Sequence, residues 1–307
     1  MHSHPLTDPS INTPTQPLQT RSIRLWLIGL FSGLAALHLN LTSHLGEPGL
    51  SSSSLLFWTA AALLGWNEQH KRDLSSSVVS SLVGISLLGI VLYKSLHLFE
   101  GDFFLRLSPL LSLLGWGLIA SGFKGLKQYK KEIFLLSFLA IPWEFVYLFD
   151  VSLLTAKFSA FILWLLGFEI TRQGVWIFLP TGSIEVYNGC SGVKMMMQLL
   201  GISWIVLTLV PTAWKQKVIL PVVAIAIGFG LNGVRVALMA VLIAMSDSAG
   251  FDYWHVGTGS LVFSAIAVLC FGLASTKILR QATKTASAHT DRKIEDRKTD
   301  RKTKTAE

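Results

Sequence analysis

The sequence predicts an all-α polytopic membrane protein, and three observations lead to this fold class. Of the 307 residues, 51% are apolar and only 14% are charged, whereas soluble domains carry about 25% charged residues. Apolar runs long enough to cross a bilayer as helices recur along the chain. Lys and Arg concentrate in alternate connections between these runs, which is the positive-inside pattern of membrane proteins.

The apolar runs predict about eight transmembrane helices. They lie near 23–41, 51–66, 75–96, 104–120, 133–149, 191–210, 218–245 and 256–275. Residues 1–20 are polar, and no small-residue cleavage site follows the first run, so we expect a disordered cytoplasmic lead and not a cleaved signal peptide. Residues 21–276 then form a single integral-membrane domain. Residues 277–307 form a disordered, basic cytoplasmic tail, because such a charged composition cannot bury a core.

The distribution of charge decides what the net charge of +8 means. The basic residues lie between the predicted spans and in the tail, and not on one continuous surface. This pattern argues against nucleic acid as a partner and favours contact with membrane lipid. With the basic connections cytoplasmic, both termini are inside the cell, and we expect an integral protein of the cytoplasmic (inner) membrane. The connections 42–50, 97–103, 150–190 and 246–255 then face the periplasm or the extracytoplasmic side.

The longest of these outer connections, 150–190, is predicted to contain structure of its own. Residues 151–168 include Lys157 and an aromatic-rich face, which indicates an interfacial or re-entrant helix. Residues 174–179 and 183–187, with a turn at 180–182, indicate a small β-hairpin. In the second strand Ile184 and Val186 face one way, and Glu185 and Tyr187 face the other. This hairpin leads directly to Cys190.

Cys190 is the first candidate functional residue. It lies in a polar, Gly-containing segment, between Asn188-Gly189 and Ser191-Gly192, at the predicted outer start of the sixth span. A helix N-terminus and a nearby cation, Lys194, both favour thiolate over thiol, so Cys190 is a candidate nucleophile. The alternative is an inert packed thiol, which is how we interpret Cys270, deep in the eighth span. Glu185 and Ser191 are candidate supporting residues.

Arg235 lies among apolar residues of the seventh span, ten residues before its outer end at Met245, or about 15 Å deep at 1.5 Å per residue. A charge inside the membrane marks a site or an ion pair. One structural alternative is a partner such as Glu144. Asn232, three residues earlier, shares the same helix face and could hold the guanidinium. In a catalytic site Arg235 could stabilise an oxyanion or orient a substrate.

His255 is the third candidate, at the predicted outer start of the eighth span. A helix N-terminus lowers the pKa of an imidazole and keeps it neutral, which suits a general base; a capping or interfacial role is the alternative. No HExxH motif or Cys/His cluster with zinc-ligand spacing occurs. We therefore expect no metal and no cofactor.

Together these residues resemble the exosortase/archaeosortase family. The resemblance consists of Cys-Ser-Gly at a span start, Asn-x-x-Arg in the next span and a His opening the following one, and it extends to Ala140-Ile-Pro142-Trp143 and the strand before Cys190, or roughly 130–275. The strand context and Ile-Pro-Trp-Glu look most like the cyanobacterial branch. The resemblance implies Cys190 as nucleophile, His255 as proton-transfer partner and Arg235 as binder of the substrate or transition state.

The resemblance also implies a function, protein sorting by a membrane-embedded cysteine protease or transpeptidase. Its substrates would be exported proteins with a C-terminal signal composed of a short motif, a transmembrane helix and a basic end. A thiolate attacks the carbonyl and gives an acyl thioester, which water or an amine resolves. A substrate anchored by its own helix is already held at the bilayer surface, which reduces the entropic cost of the encounter.

Two other functions compete with this interpretation, and a purely structural membrane subunit is a third alternative. Gly189-Cys-Ser191-Gly192 also reads as Gly-x-Ser-Gly, so with His255 the chain resembles a rhomboid-like intramembrane serine protease in which Ser191 attacks; Arg235 then has no role. A secondary transporter with Arg235 and Glu144 in its pathway predicts internally repeated halves, and residues 1–150 contain no counterpart of the three candidates. The sequence leaves the recognition motif, the acceptor and the oligomeric state open.

Overall fold

The computed structural model describes residues 18–45, 48–99, 101–142 and 148–304, which are mostly α-helical with one small β-sheet. The helices are α1 Leu18–His44, α2 Pro48–Glu68, α3 Val78–Ser95, α4 Phe103–Gly125, α5 Lys130–Ser137, α6 Ser152–Leu165, α7 Val193–Leu209, α8 Trp214–Ala244, α9 Ser248–His255 and α10 Gly259–Lys304. The strands are β1 Thr171–Gln173, β2 Trp176–Leu179 and β3 Gly182–Glu185. The chain divides into two compact units, one of Met1–Pro48 and Lys71–Lys130, the other of Gly49–His70 and Lys131–Glu307.

In the first unit, α3 and α4 pack closely because small residues face each other. A Cβ at Gly84 would lie 2.6 Å from the carbonyl oxygen of Gly115, so these backbones approach as only glycines allow. Gly122 has a φ of 68° and bends α4 before a 3₁₀ turn at Leu126–Tyr129. Positive φ is open to glycine at little cost.

The second unit contains all the candidate residues. A core joins α6, β2, β3 and α8. It consists of Ala156, Ala160, Leu163, Ile177, Leu179, Ile184, Val186, Cys190, Val236, Ala237, Met239 and Ala240. A neighbouring core joins α7, α8 and α10. The long helix α8 contributes to both, so it is the element on which the sheet and the other helices are assembled.

The predicted hairpin is confirmed and has one further strand. The sheet is antiparallel in the order β1-β2-β3, and a two-residue turn at 180–181 joins the last two strands. The predicted alternation is also confirmed, because Ile184 and Val186 are buried whereas Glu185 and Tyr187 are exposed. Apolar contacts with α6 and α8 fix one face of the sheet, so the register is specified by burial.

Five helical segments in the described residues are long and apolar enough to cross a membrane. They are Ser22–His44, Val78–Ser95, Phe103–Ser137, Trp214–Ala244 and Gly259–Gln281. The helix α2 forms over the second predicted span but is not among them, since serines at 51–54 reduce its hydropathy. The helix α7 has 17 residues, or about 26 Å, which is short of the roughly 30 Å of a hydrocarbon core. Eight spans are therefore not confirmed.

The fifth predicted span, 133–149, does not form as one helix in the described residues. The helix α5 ends at Ser137 and turns lead to Pro142, which cannot donate a backbone hydrogen bond. Residues 143–147, including Trp143 and Glu144, lie outside the described residues. The basic connection around 124–131 is itself helical, so α4, the 3₁₀ turn and α5 form one continuous segment.

The predicted interfacial helix corresponds to α6, but its packing differs from the expectation. Its buried side is small and polar, with Ser152, Thr155 and Ser159 among the buried residues. Phe158 packs against Gly233 and Phe229 of α8, whereas Phe161 and Trp164 are exposed. These three aromatic residues are therefore not all exposed on one face of the helix. At 14 residues, or about 21 Å, α6 is too short to span a bilayer.

Two expectations concern α10 and the ends of the chain. The structure continues α10 to Lys304, where the sequence predicts disorder; extending an existing helix costs little because no new nucleus is needed. Cys270 was expected to be buried, and that is wrong, because its side chain is exposed on α10. Residues 1–17 of the predicted lead lie outside the described residues. The division into lead, membrane domain and tail stays a prediction.

Candidate active site

The three candidate residues that the sequence singles out lie close together. The Sγ atom of Cys190 is 3.3 Å from Nε2 of His255, within the range of a hydrogen bond to sulfur. The guanidinium of Arg235 binds the backbone at Trp254 and His255. Asn232 and His255 lie 42 and 65 residues from Cys190 along the chain, and both contact it, Asn232 at the backbone carbonyl and His255 at the thiol.

A short turn between the sheet and α7 presents Cys190. After β3 the chain forms a 3₁₀ turn at Asn188–Cys190, and α7 begins at Val193. Between them, Gly192 has a φ of 90°, a backbone conformation that side-chain-bearing residues reach only with strain. The sequence places the helix start two residues too early, but the order of strand, turn and helix is as predicted.

Asn232 holds this turn in place. It is buried, and its Nδ2 donates to the carbonyl oxygen of Cys190 at 2.8 Å. A Cβ at Gly192 would lie 2.6 Å from the same Nδ2, so the amide fits only because residue 192 has no side chain. Asn232 was expected to hold the guanidinium of Arg235, and its bond to Cys190 corrects that expectation.

Arg235 binds the C-terminal end of α9. Its Nε donates to the carbonyl oxygen of Trp254 at 3.0 Å and its Nη2 to that of His255 at 2.5 Å. The last carbonyls of a helix have no intrahelical partners and carry partial negative charge, so the partly buried guanidinium of Arg235 is well placed there. The sequence analysis places Arg235 about 15 Å below the outer end of its helix. Arg235 still reaches the site because α9 packs back against α8.

His255 is the last residue of α9 and not the first residue of the following span, which begins at Gly259. The sequence argument from a helix N-terminus is therefore wrong. The pKa of His255 is nevertheless lowered, by burial and by the charge of Arg235, with Asp252 opposing. The imidazole is neutral at pH 7 and can accept a proton.

Tyr187 is a site residue that the sequence analysis did not select. Its hydroxyl lies 3.1 Å from Nε2 of His255, and it is close enough to the Cys190 side chain for each group to affect the pKa of the other. Burial raises the pKa of Tyr187, so the phenol stays protonated and can donate. The available signal was its place three residues before Cys190, on the same strand face as Glu185 and opposite the buried face.

The Cys190 thiol is not predisposed to ionise, which corrects a second expectation. Burial raises its pKa, and the opposing effects of the Tyr187 hydrogen bond and the Arg235 charge do not cancel this. Lys194, expected to be the nearby cation, extends toward Gly49 of α2, where a Cβ would meet its Cε at 3.2 Å. Arg235 is the cation whose charge acts on Cys190.

Ser191 and Glu185, the remaining candidates, make no direct contact with the Cys190–His255 pair within the described chain. The Ser191 side chain is fully buried and its hydroxyl donates to the Asn188 carbonyl at 2.6 Å. The Ser191 carbonyl accepts from Thr155 of α6 at 2.7 Å. Ser191 therefore stabilises the turn. Glu185 is exposed in β3 opposite Trp176.

The arrangement is suited to general-base activation of a thiol. The neutral Nε2 of His255 can take the proton from Sγ of Cys190 as the sulfur attacks a carbonyl. The backbone N–H groups of Cys190 and Ser191 already bond the carbonyls of Tyr187 and Asn188. Side-chain donors that could stabilise a developing oxyanion are the Tyr187 hydroxyl and the N–H groups that Arg235 has not used.

In the part of the chain that the structure describes, no group of three or more His, Cys, Asp or Glu residues could hold a metal ion. The chemistry described here uses only side chains of the protein. The expectation that the protein uses no metal and no cofactor stays a prediction.

Comparison with known proteins identifies one family. Residues 47–272, about three quarters of the chain, match the sequence model described as transmembrane exosortase. The matched range includes Cys190, Asn232, Arg235 and His255. No curated protein and no solved structure matches the chain. The similarity to the cyanobacterial branch stays a prediction.

Proposed function

The chain belongs to the transmembrane exosortase family, and from this premise we propose that it is a membrane-embedded cysteine protease and transpeptidase. Membership of the family supports, in general, an integral membrane protein that sorts exported proteins by peptide-bond chemistry. The proposal adds the nucleophile, Cys190, and the substrate signal. That signal is a short C-terminal motif followed by a transmembrane helix and a basic end.

The observation that carries the proposal is the contact of 3.3 Å between Sγ of Cys190 and Nε2 of His255. The thiol and the neutral imidazole form a nucleophile–base pair, and Arg235 fixes the base by binding the backbone carbonyl of His255 itself. A base held in hydrogen-bond reach of its nucleophile contributes roughly 10²–10⁴-fold to the rate.

The reaction follows from these positions in two stages. First, Sγ of Cys190 attacks the scissile carbonyl while Nε2 of His255 takes the thiol proton, and the oxyanion is stabilised by Tyr187 and Arg235. The C–N bond then breaks, the leaving amine takes the proton from His255, and the acyl group remains on sulfur as a thioester. Second, water or an acceptor amine attacks the thioester, His255 accepts its proton, and the thiol is restored.

The location of the enzyme is part of the same proposal. Because the basic connections favour the cytoplasm, the sheet and Cys190 lie on the extracytoplasmic side of the inner membrane. A substrate there is an exported protein still anchored by its C-terminal helix. Its basic end stays in the cytoplasm, so the bond to be cleaved lies close to the bilayer surface beside Cys190.

The alternatives are less well supported by the site. In a rhomboid-like serine protease Ser191 would attack, but its buried hydroxyl is engaged with the Asn188 carbonyl. In a transporter Arg235 would face a substrate pathway, but its guanidinium binds the end of α9. Neither alternative accounts for the contact between Cys190 and His255.

Substitution of the two neighbouring candidate nucleophiles tests the proposal. Membranes containing the protein are incubated with a tagged exported protein of the same cells that ends in a C-terminal sorting signal, and cleavage is followed by the change in size. We expect Cys190→Ala to abolish cleavage, because the acyl acceptor is lost. Ser191→Ala should retain most of it, since the hydroxyl only stabilises the turn.

The second cysteine provides a matched control. The Cys270→Ala variant should cleave the tagged substrate at the wild-type rate. Iodoacetamide should still inactivate this variant, because it alkylates Cys190. Loss of cleavage in Ser191→Ala together with normal cleavage in Cys190→Ala would move the assignment to the serine class. Normal cleavage in both variants would remove this site from the reaction.

A further inference from the structure

The outer edge of β3 has unpaired backbone groups. The Val186 N–H donates to the Val175 carbonyl, and with the observed register the pairs bonded to β2 are those of residues 186, 184 and 182. In an antiparallel ladder the intervening residues point their N–H and C=O groups away from the partner strand. For β3 these are Ser183 and Glu185.

Neither Ser183 nor Glu185 has a partner for these outward groups among the described residues. Both residues are exposed. The end of α8 lies beneath the buried face of β3, where a Cβ at Gly182 would meet Ile243 at 2.9 Å, and so does not cover this edge. The exposed edge also contains no Pro and no Lys, residues with which proteins commonly block strand pairing.

This edge leads directly to the reacting atoms. From Glu185 the chain passes through Val186 to Tyr187, whose hydroxyl contacts His255, and after the 3₁₀ turn it reaches Cys190. A peptide aligned with β3 would therefore run toward the thiol. Beside the edge, the exposed face of the sheet presents Trp176, which is 40% exposed, and Tyr187, which is 50% exposed.

We propose that the segment of the substrate that precedes its transmembrane helix binds as a fourth strand on the outer edge of β3, and so enters the active site in an extended conformation. This inference rests on the proposed function and adds the mode of substrate binding. Backbone hydrogen bonds to Ser183 and Glu185 supply affinity, whereas alternate side chains contact the exposed face and supply selectivity.

The extended conformation has a chemical consequence. A helical segment hides its peptide carbonyls within its own hydrogen bonds, whereas a paired strand presents every second peptide unit away from its partner. Pairing with β3 therefore selects an extended segment over the adjoining transmembrane helix. The bond to be cleaved must then lie outside that helix.

Proline at the two outward positions tests the inference. Proline removes the N–H and is tolerated at edge positions whose N–H faces outward, so Ser183→Pro and Glu185→Pro should leave the sheet intact. Ser183→Ala and Glu185→Ala are the matched controls because they keep the N–H. The substrate is the tagged reporter used for Cys190, and kcat and KM are measured together with the rate of Cys190 alkylation by iodoacetamide.

We expect each proline variant to raise KM by roughly five- to tenfold, the effect of one lost hydrogen bond, with kcat and alkylation little changed. Each alanine variant should raise KM less than the proline variant at the same position, because alanine keeps the backbone N–H that pairs with the substrate. An unchanged KM in both proline variants with normal alkylation would overturn the inference, although the proposed function would stand. Failure of the wild type to cleave any reporter would instead contradict the proposed function.

If proline disrupts the sheet, altered alkylation will reveal it, and a measurement on the peptide then decides. A synthetic peptide with the reporter's sequence before its apolar helix is used as a competitive inhibitor and is N-methylated at one residue at a time. Pairing with an edge predicts that inhibition weakens at every second residue. If N-methylation weakened inhibition equally at every residue, or at no residue, binding as a strand would be contradicted.

Discussion

The Cys190 thiol and the His255 imidazole are both uncharged in the resting protein. Burial raises the pKa of Cys190, and burial together with Arg235 lowers the pKa of His255. An ion pair of thiolate and imidazolium is therefore disfavoured before substrate binds. In the proposed reaction the sulfur becomes nucleophilic only as His255 takes its proton, so activation of the thiol would be coupled to the attack itself.

Arg235 shows how a single charge is accommodated in an apolar helix. Its cost inside a membrane is roughly 2.5–3.5 kcal/mol on insertion scales, and two carbonyls at the end of α9 accept its N–H groups. Because one of them belongs to His255, the guanidinium fixes the backbone of the base. Arg235 therefore connects α8 to the residue that we propose as the base.

Tyr187→Phe tests the role of the phenol at the residue scale. The Tyr187 hydrogen bond lowers the pKa of the Cys190 thiol, so its loss should raise that pKa further. The rate of Cys190 alkylation, which follows the thiolate fraction, should then reach its half-maximum at a higher pH than in the wild type. Cleavage of the reporter should slow about 100-fold, as for the loss of one oxyanion donor.

Tyr253→Phe is the control for this substitution, since Tyr253 in α9 contacts Trp254 and not the thiol. We expect its alkylation profile to match the wild type. A Tyr187→Phe profile that coincides with the wild type in pH would contradict direct contact between the phenol and the reacting sulfur.

At the scale of elements, the turn between β3 and α7 determines where the nucleophile sits. Asn232 of α8 binds the Cys190 carbonyl, and Thr155 of α6 binds the Ser191 carbonyl. Two helices thus hold successive peptide groups of the turn from different sides. Both donors are buried, so water does not compete for these two carbonyls.

Gly192→Ala tests this turn. A Cβ in the left-handed region costs about 1–2 kcal/mol, and at residue 192 it would also meet the Asn232 side chain at 2.6–2.8 Å. We expect reporter cleavage to fall at least tenfold, because Asn232 must release the Cys190 carbonyl. The thermal unfolding temperature in detergent should fall as well.

Gly230→Ala is the matched control, since a Cβ there meets nothing within 4 Å and lies on the same helix as Asn232. This variant should cleave normally and be as stable as the wild type. If the Gly192→Ala variant cleaved the reporter as fast as the wild type, the close approach of Asn232 to residue 192 would have no functional importance.

At the scale of the whole molecule, the question is which side of the membrane holds the site. The helix α8 has 31 residues, or about 46 Å, and exceeds the roughly 30 Å hydrocarbon core. It connects the region of Lys215 with the region of the sheet. These two regions are therefore expected on opposite sides of the membrane.

Cysteines introduced one at a time into a Cys270→Ala background, which keeps Cys190, test this arrangement. Ser183→Cys and Lys215→Cys both place an exposed thiol outside the apolar part of α8. A membrane-impermeant maleimide applied to intact spheroplasts should label Ser183→Cys and should label Lys215→Cys only after permeabilisation. Labelling of the parent Cys270→Ala variant, which contains only the buried Cys190, gives the background signal. The opposite labelling pattern would place the site in the cytoplasm.

Much of the fold could be predicted because its signals are local. Apolar runs, Gly and Pro positions and strand alternation act over a few residues, so α1, α3, α8 and the hairpin were predicted with small errors in their bounds, whereas α10 continues to Lys304, far beyond its predicted end. Errors occurred where a run was interrupted locally, as at Pro142, or where exposure depends on distant neighbours, as for Cys270.

By itself the sequence determined the membrane class, the strand, turn and helix around Cys190, and the choice of Cys190, Arg235 and His255, because rare polar groups stand out against apolar surroundings. Only the tertiary structure decided how they act together. It assigned Arg235 to the end of α9, Asn232 to the Cys190 turn and Tyr187 to the imidazole. The physical reason is that these bonds join residues 19 to 68 positions apart, and no local pattern encodes which distant carbonyl or ring a side chain will meet.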